Sequence, residues 1–219
     1  MEKWLVPPHM KSWAGQSTRY FGYDQQGTTT YKFDSDGFRD NDTQGIDTVN
    51  LLGNSISFGI GLDNSLTFGC ILATALKRKL NNFSYGCYLH ENHDYLTNVK
   101  LCTERTDNDA LFIVQINNID RYRVDQNSVI TNNDRDFCRK RFLNYFDQLT
   151  ALLKNKNCIF LYWDDKSYDL PKSVTDQFLI HNKFHLDTSM KDYSNSFGIK
   201  SNLVIAKILT VKAELILPK

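Results

Sequence analysis

Ser55 stands in the run Leu51-Leu52-Gly53-Asn54-Ser55-Ile56-Ser57-Phe58-Gly59-Ile60-Gly61, where a strand-like apolar segment gives way to glycines and small polar residues. A serine at a strand-to-helix turn holds its hydroxyl out of the core, and the start of the helix offers backbone amides with no partner inside it. That combination suits nucleophilic attack on a carbonyl, with amides receiving the charge that develops on oxygen. Gly53-Asn54-Ser55 is equally an ordinary turn-and-cap sequence, in which Ser55 only caps a helix. A serine nucleophile also needs a base, and the five histidines, His9, His90, His93, His181 and His185, are scattered along the chain. His181 and His185, four apart, could share one helix face, but no pair has the helical spacing plus acidic partner of a zinc motif. The expectation is therefore no metal and no cofactor.

Bulk composition narrows the class. The 219 residues are 41% hydrophobic and 13% aromatic, which is the composition of a folded globular chain. Lys plus Arg (26) nearly cancels Asp plus Glu (25), so no strong field draws the chain to nucleic acid. Lys77-Arg78-Lys79 and Arg139-Lys140-Arg141 read as solvated helix faces. No apolar run approaches the roughly 18 residues of a membrane span. Pro7 and Pro8 interrupt the apolar N-terminus, so no signal peptide is expected. Five cysteines without metal spacing read as reduced, partly buried thiols of an intracellular protein.

Several elements must position the serine. Thr48 to Leu52 reads as the first central strand and Leu66 to Leu80 as an amphipathic helix. Asn82 to Gly86 reads as a second strand and Tyr95 to Arg105 as a helix. Ala110 to Ile116 is a continuous apolar run of the kind a buried parallel strand requires. A long amphipathic helix follows from Arg135 to Leu153, then a buried strand from Asn157 to Trp163 and a last helix from Ile199 to Lys212. Alternating strands and helices imply an α/β fold, three layers of α/β/α around a central, mostly parallel sheet, with sites beyond the carboxyl ends of the strands. Residues 1–45, rich in Gly, Gln, Thr, Ser and Asp, read as an extended N-terminal arm with one hairpin, packed on the surface of a single domain at 46–219.

With the elements in this order, Gly53-Asn54-Ser55-Ile56-Ser57-Phe58-Gly59 resembles the Gly-Asp-Ser block of the SGNH (GDSL-type) hydrolases, with Asn54 in place of the usual aspartate. Asp36-Gly37-Phe38-Arg39-Asp40 is similar to the Gly-Phe-Arg segment that often precedes that block. Asn82-Phe83-Ser84-Tyr85-Gly86 resembles the second block. Gln115-Ile116-Asn117-Asn118 takes the place of the third, Gly-x-Asn-Asp, with its glycine lost. The resemblance implies a flavodoxin-like fold with Ser55 as nucleophile, and an oxyanion hole from the amides of Ser55 and Gly86 with the Asn117 side chain. Asn54, Asn118 and Arg121 are then candidates to hold a small polar ligand, an acyl ester or a sugar, and Arg121 equally suits an ion pair with Asp120 or Asp125.

The resemblance fails at the base. The family carries an Asp and a His just before its last helix; in that register Ser194 stands at the aspartate and Ser196 at the histidine. Asp187 and Asp192 lie nearby, but no histidine follows either. Losing the base of a serine triad lowers turnover by on the order of a millionfold, while an oxyanion hole and binding retain roughly a thousandfold over water. The expectation is a catalytically impaired or inactive member that keeps the serine and the cleft. The alternative is an active serine ester hydrolase whose base is His93 or His185, recruited from outside the usual position. Cys87 beside Gly86 has no neighbour in sequence that would activate it. Trp163-Asp164-Asp165 would lie near the cleft mouth, where such a pair more often opens a loop.

Overall fold

The computed structural model describes residues 3–4, 8–21, 28–86, 95–107, 109–116, 119, 121–125, 128–131, 135–162 and 199–217. A short helix α1 (Pro8–Lys11) leads into an antiparallel hairpin of β1 (Ser17–Phe21) and β2 (Thr28–Lys32). Then come β3 (Thr48–Leu52), α2 (Ser55–Phe58), a 3-10 turn at Asn64–Leu66, α3 (Phe68–Ala75), β4 (Lys79–Asn82), α4 (Leu96–Arg105) and β5 (Leu111–Ile116). A second hairpin, β6 (Arg121–Asp125) and β7 (Ser128–Thr131), precedes α5 (Arg135–Leu153), β8 (Asn157–Tyr162) and α6 (Ile199–Ile216).

The central sheet has the order β4-β3-β5-β8, with every pairing parallel. Alternation along each strand divides the core in two. Val49, Leu51, Leu111, Ile113, Ile159 and Leu161 face a layer that contains α3 and α6. Leu52, Phe112, Val114, Ile116, Phe160 and Tyr162 face α4 and α5. Helices thus cover both faces, which is why the strands read as unbroken apolar runs rather than alternating ones. The chain starts at β3, steps to β4 on one side and then crosses to β5 on the other. The strand order therefore reverses between β3 and β5, the switch point where sites form in such sheets.

Several expected elements stand as read, β3 and α5 to the residue. Others differ for physical reasons. The helix expected over Leu66 to Leu80 ends at Ala75. There Lys77 takes a left-handed backbone (φ 55°), and the amides of Lys77 and Arg78 bond back to the carbonyls of Thr74 (3.1 Å) and Ala73 (2.8 Å). This is a Schellman closure with lysine where glycine is usual, so the sequence carries no signal for it. Lys79 consequently opens β4, which starts three residues before and ends four residues before the expected Asn82 to Gly86.

Arg78 does not lie on a solvated helix face. It is buried, with Nη1 donating to the Asp109 carbonyl (2.6 Å) and Nη2 3.3 Å from the Asp47 carboxylate. It therefore ties the starts of β3, β4 and β5 together. Arg139 and Lys140 are exposed as expected. The last helix runs on to Ile216, and its Asn202 side chain accepts from the Phe68 amide (2.8 Å), closing the first turn of α3.

The N-terminal stretch contains the expected hairpin, but it does not simply lie on the surface. Met10, Tyr31, Phe33 and Phe38 are buried in the same core as α4 and α5. No described helix is long and apolar enough to cross a membrane.

Two outcomes are expected. Deleting residues 1–40 should abolish cooperative unfolding in a thermal melt, because it removes those aromatic rings; a shortened chain that melts cooperatively would show that the core closes without them. Burial raises the thiol pKa of Cys70, Cys102 and Cys158 above the ordinary value. A raised value keeps the unreactive neutral form to higher pH. At about pH 8 these three should resist iodoacetamide until the protein is denatured, as read by peptide mass spectrometry, and fast modification in the folded state would contradict their burial.

Candidate functional site

The serine turn begins where β3 ends. Asn54 has an extended backbone (φ −103°, ψ −156°), and its side-chain oxygen accepts from the Ile56 amide (3.0 Å), so Asn54, not Ser55, caps α2. Ser55 is the first helical residue and is half-buried. Among the described residues its hydroxyl makes no hydrogen bond. Gly59 closes the turn in a left-handed conformation (φ 77°), its amide 3.1 Å from the carbonyls of Ser55 and Ile56. The turn is a single helical turn, so its geometry depends on what holds it from outside.

Gln115 supplies one hold. It is the penultimate residue of β5, fully enclosed, across the switch point from Asn54. Its Oε1 accepts from the Ser57 hydroxyl (2.6 Å) and from the amides of Ser57 (3.3 Å) and Asn54 (3.2 Å). Its Nε2 donates to Asn54 Oδ1 (2.7 Å). Gln115 therefore braces the serine turn from below. Gly53 makes room for it: a Cβ there would stand 2.5 Å from Ser57 Oγ and 2.6 Å from Gln115 Oε1.

Arg39 supplies the second hold. It is 1% exposed, and its guanidinium lies 4.6 Å from the Tyr31 ring centroid and 5.3 Å from that of Phe58. Nη1 donates to the carbonyls of Phe58 (2.7 Å) and Gly59 (2.8 Å), and Nη2 to that of Leu62 (2.6 Å). Arg39 thereby serves buried carbonyls at and beyond the end of α2, of which that of Gly59 also accepts from the Leu62 amide (3.2 Å). No described carboxylate pairs with Arg39. Burial lowers its pKa to about 10, so it remains a cation at neutral pH. Tyr31 completes the clamp by accepting from the Gly61 amide (2.7 Å).

The second block lies alongside. The amides of Phe83 and Tyr85 donate to the carbonyls of Leu51 (2.8 Å) and Gly53 (2.9 Å), carrying the chain past the end of β3. Asn82 Nδ2 reaches the Ser57 carbonyl (3.4 Å). Gly86 follows, with room beside Phe58 for no more than a tight Cβ contact of 3.3 Å. The structure thus gathers Ser55, Asn54, Gln115 and the Gly86 segment at the switch point.

Other expected residues stand elsewhere or outside the description. Arg121 opens β6, and its side chain is outside the described set. Asn117, Asn118, Asp120, Ser194, Ser196, Cys87, Asp187, Asp192 and Trp163-Asp164-Asp165 lie outside the described residues. No histidine side chain is among the described ones. Asn54, expected as a ligand contact, is 7% exposed, with its carboxamide engaged by the helix cap and Gln115. No described group of His, Cys, Asp and Glu is arranged to hold a metal.

The bracing roles of Gln115 and Arg39 are not legible from residue type alone. Their only sequence signal is the position of Gln115 in the third block and of Arg39 in the Gly-Phe-Arg segment.

No protein-family model and no curated protein matches the sequence. Among solved structures, the acetyl xylan esterase Est2A from the rumen bacterium Butyrivibrio proteoclasticus superposes with a TM-score of 0.50 at 13% identity, over 81% of this chain. The chain spans 66% of that enzyme's length. A carbohydrate esterase family 2 enzyme with a carbohydrate-binding domain, from Corynascus thermopiles (Myceliophthora fergusii), gives a TM-score of 0.36 at 12% identity over 62% of this chain and 49% of its own. The first likeness is one of fold, and it supports an SGNH-type α/β architecture here.

Replacing Gln115 by Ala leaves the Ser57 hydroxyl and two buried amides without an acceptor. The expected loss is about 2–4 kcal/mol in urea unfolding. Gln148→Ala, at an exposed position, is the control and should change little. Equal stability of the two variants would remove the bracing role from Gln115.

Proposed function

We propose that this chain is an SGNH-type hydrolase-like protein that retains the serine turn and its cleft but has lost the base. Its role is then to hold a small ester- or sugar-bearing ligand with little or no turnover. The observation that carries this reading is the Ser55 turn, built at the switch point and braced by Gln115 and Arg39. The sequence meanwhile has serines, Ser194 and Ser196, at the family's aspartate and histidine positions.

In this reading residues 46–219 form the hydrolase-like domain, with residues 1–45 packed on it. The amides of Ser55 and Gly86 and the side chain of Asn117 form the oxyanion hole, while Asn118 and Arg121 contact the ligand. Asn54 acts through the turn it caps. Without a base the Ser55 hydroxyl stays protonated near neutral pH, and a protonated hydroxyl is a poor nucleophile.

The second reading, an active serine ester hydrolase with His93 or His185 as base, draws support from the same bracing, which would hold Ser55 in place for attack. A fluorophosphonate probe separates the two. No labelling of Ser55 and no turnover of short-chain p-nitrophenyl esters is expected. Labelling of the intact protein that Ser55→Ala abolishes would establish the active enzyme instead. Installing Ser194→Asp and Ser196→His together should raise p-nitrophenyl acetate hydrolysis on the order of a hundredfold above background, the scale of a restored general base. Background rates in a folded double variant would mean that these serines do not occupy the dyad positions.

A further inference from the structure

A pocket of about 360 Å³ opens on the edge of β4, and Ser55 is not among its lining residues. Its walls come from the turn at residues 34–41, from residues 79–83 and from the C-terminal end of α4. Trp4 closes one side, with its ring stacked on Phe83 (centroids 4.6 Å apart) and the Arg105 guanidinium 4.8 Å from its centroid. Trp4 is thus fixed as wall. The volume falls in the range of small-molecule sites.

The wall charges are of both signs. Lys79 stands on β4, and Asp36 and Asp40 on the adjoining segment, which bridges to β4 between Arg39 and Asn82. The ion pairs among the described residues, Lys32 with Asp42 and Arg78 with Asp47, involve none of these three. Opposite charges that border one cavity without closing across it are matched by a molecule carrying both signs. The polar lining also continues into the sheet. Asn81, which lines the pocket, donates to Asn50 Oδ1 (3.0 Å), while Asn50 is fully buried and its Nδ2 has no acceptor.

We propose that this pocket binds a small zwitterion, with its ammonium group toward Asp36 and Asp40 and its carboxylate toward Lys79 and Asn81. The site is separate from the chemistry at Ser55 and stands whether or not that serine reacts. It is nevertheless close to it in bonding terms. Two wall residues, Arg39 and Asn82, also hold the carbonyls of Phe58, Gly59 and Ser57, so an occupant lies one hydrogen bond from the serine turn.

The test is calorimetric and NMR titration of the full chain with ω-amino acids of increasing length, from glycine through γ-aminobutyrate to ε-aminocaproate. Propylamine and propionate serve as the two halves. One chain length should bind about tenfold or more tighter than either half, because the second contact forms within an already bound molecule. Lys79→Met and Asp40→Asn, both at exposed positions, should each weaken that binding by roughly fivefold or more, whereas Asp147→Asn on the outer face of α5 should not. Three results would overturn the proposal. They are halves that bind as well as the zwitterion, affinity unmoved by Lys79→Met and Asp40→Asn, or no binding by any member of the series at about 20 mM, where even millimolar affinity registers.

Discussion

The carboxamide of Gln115 is where the two halves of the sheet's switch point are fastened to each other. On one side is the end of β5; on the other are the cap of α2 and the second serine of the turn, Ser57. A helix of one turn has little cohesion of its own, so its orientation is inherited from such contacts. Gln115 accepts three hydrogen bonds and gives one, all to a single loop, and it is enclosed while doing so. A neutral amide pair is well suited to this place. Asn54 and Gln115 satisfy each other with no net charge, and the low dielectric that strengthens their bonds would penalise a carboxylate left there without a donor.

Arg39 solves the complementary problem at the other end of the turn. Carbonyls around a left-handed glycine project into the interior, where only a donor with several fixed N–H groups can serve three of them together. The planar guanidinium does so, and the Tyr31 and Phe58 rings supply the attraction that a carboxylate would provide elsewhere. This arrangement makes the N-terminal hairpin part of the site's foundation. Its Tyr31 ring covers one side of the cation that holds the serine loop.

Much of the architecture was legible because burial on both faces writes itself into strands as apolar runs. Leu111 to Ile116 and Asn157 to Tyr162 are the clearest cases, and α5 shows the matching periodicity at Phe142, Phe146, Leu149 and Leu153. What could not be read were contacts made by residues of unremarkable type. Lys77 in a left-handed backbone ends α3 where glycine would have advertised the stop. Arg78, within a basic triplet, turns inward to Asp109 and Asp47. Gln115 looks like a defect in a glycine block until the space beside Gly53 is seen to be filled by its side chain. The β6–β7 hairpin also escaped notice, since its short strands lack a strong turn signal. In the candidate site, the place of Ser55 was legible from local order, whereas its bracing depends on bonds that span 19 to 61 positions of the chain.

The bond between Asn202 and the Phe68 amide joins positions separated by 134 residues. It gives the molecule a temporal asymmetry. During synthesis the serine loop and its arginine clamp emerge together and close over short loops, at small entropic expense. The opening turn of α3 has a local cap in Thr67, but its Phe68 amide must wait for a helix made 134 positions later. The nascent chain therefore carries an unfinished flank beside a nearly complete serine turn, and Asn202 is the residue that ends that wait.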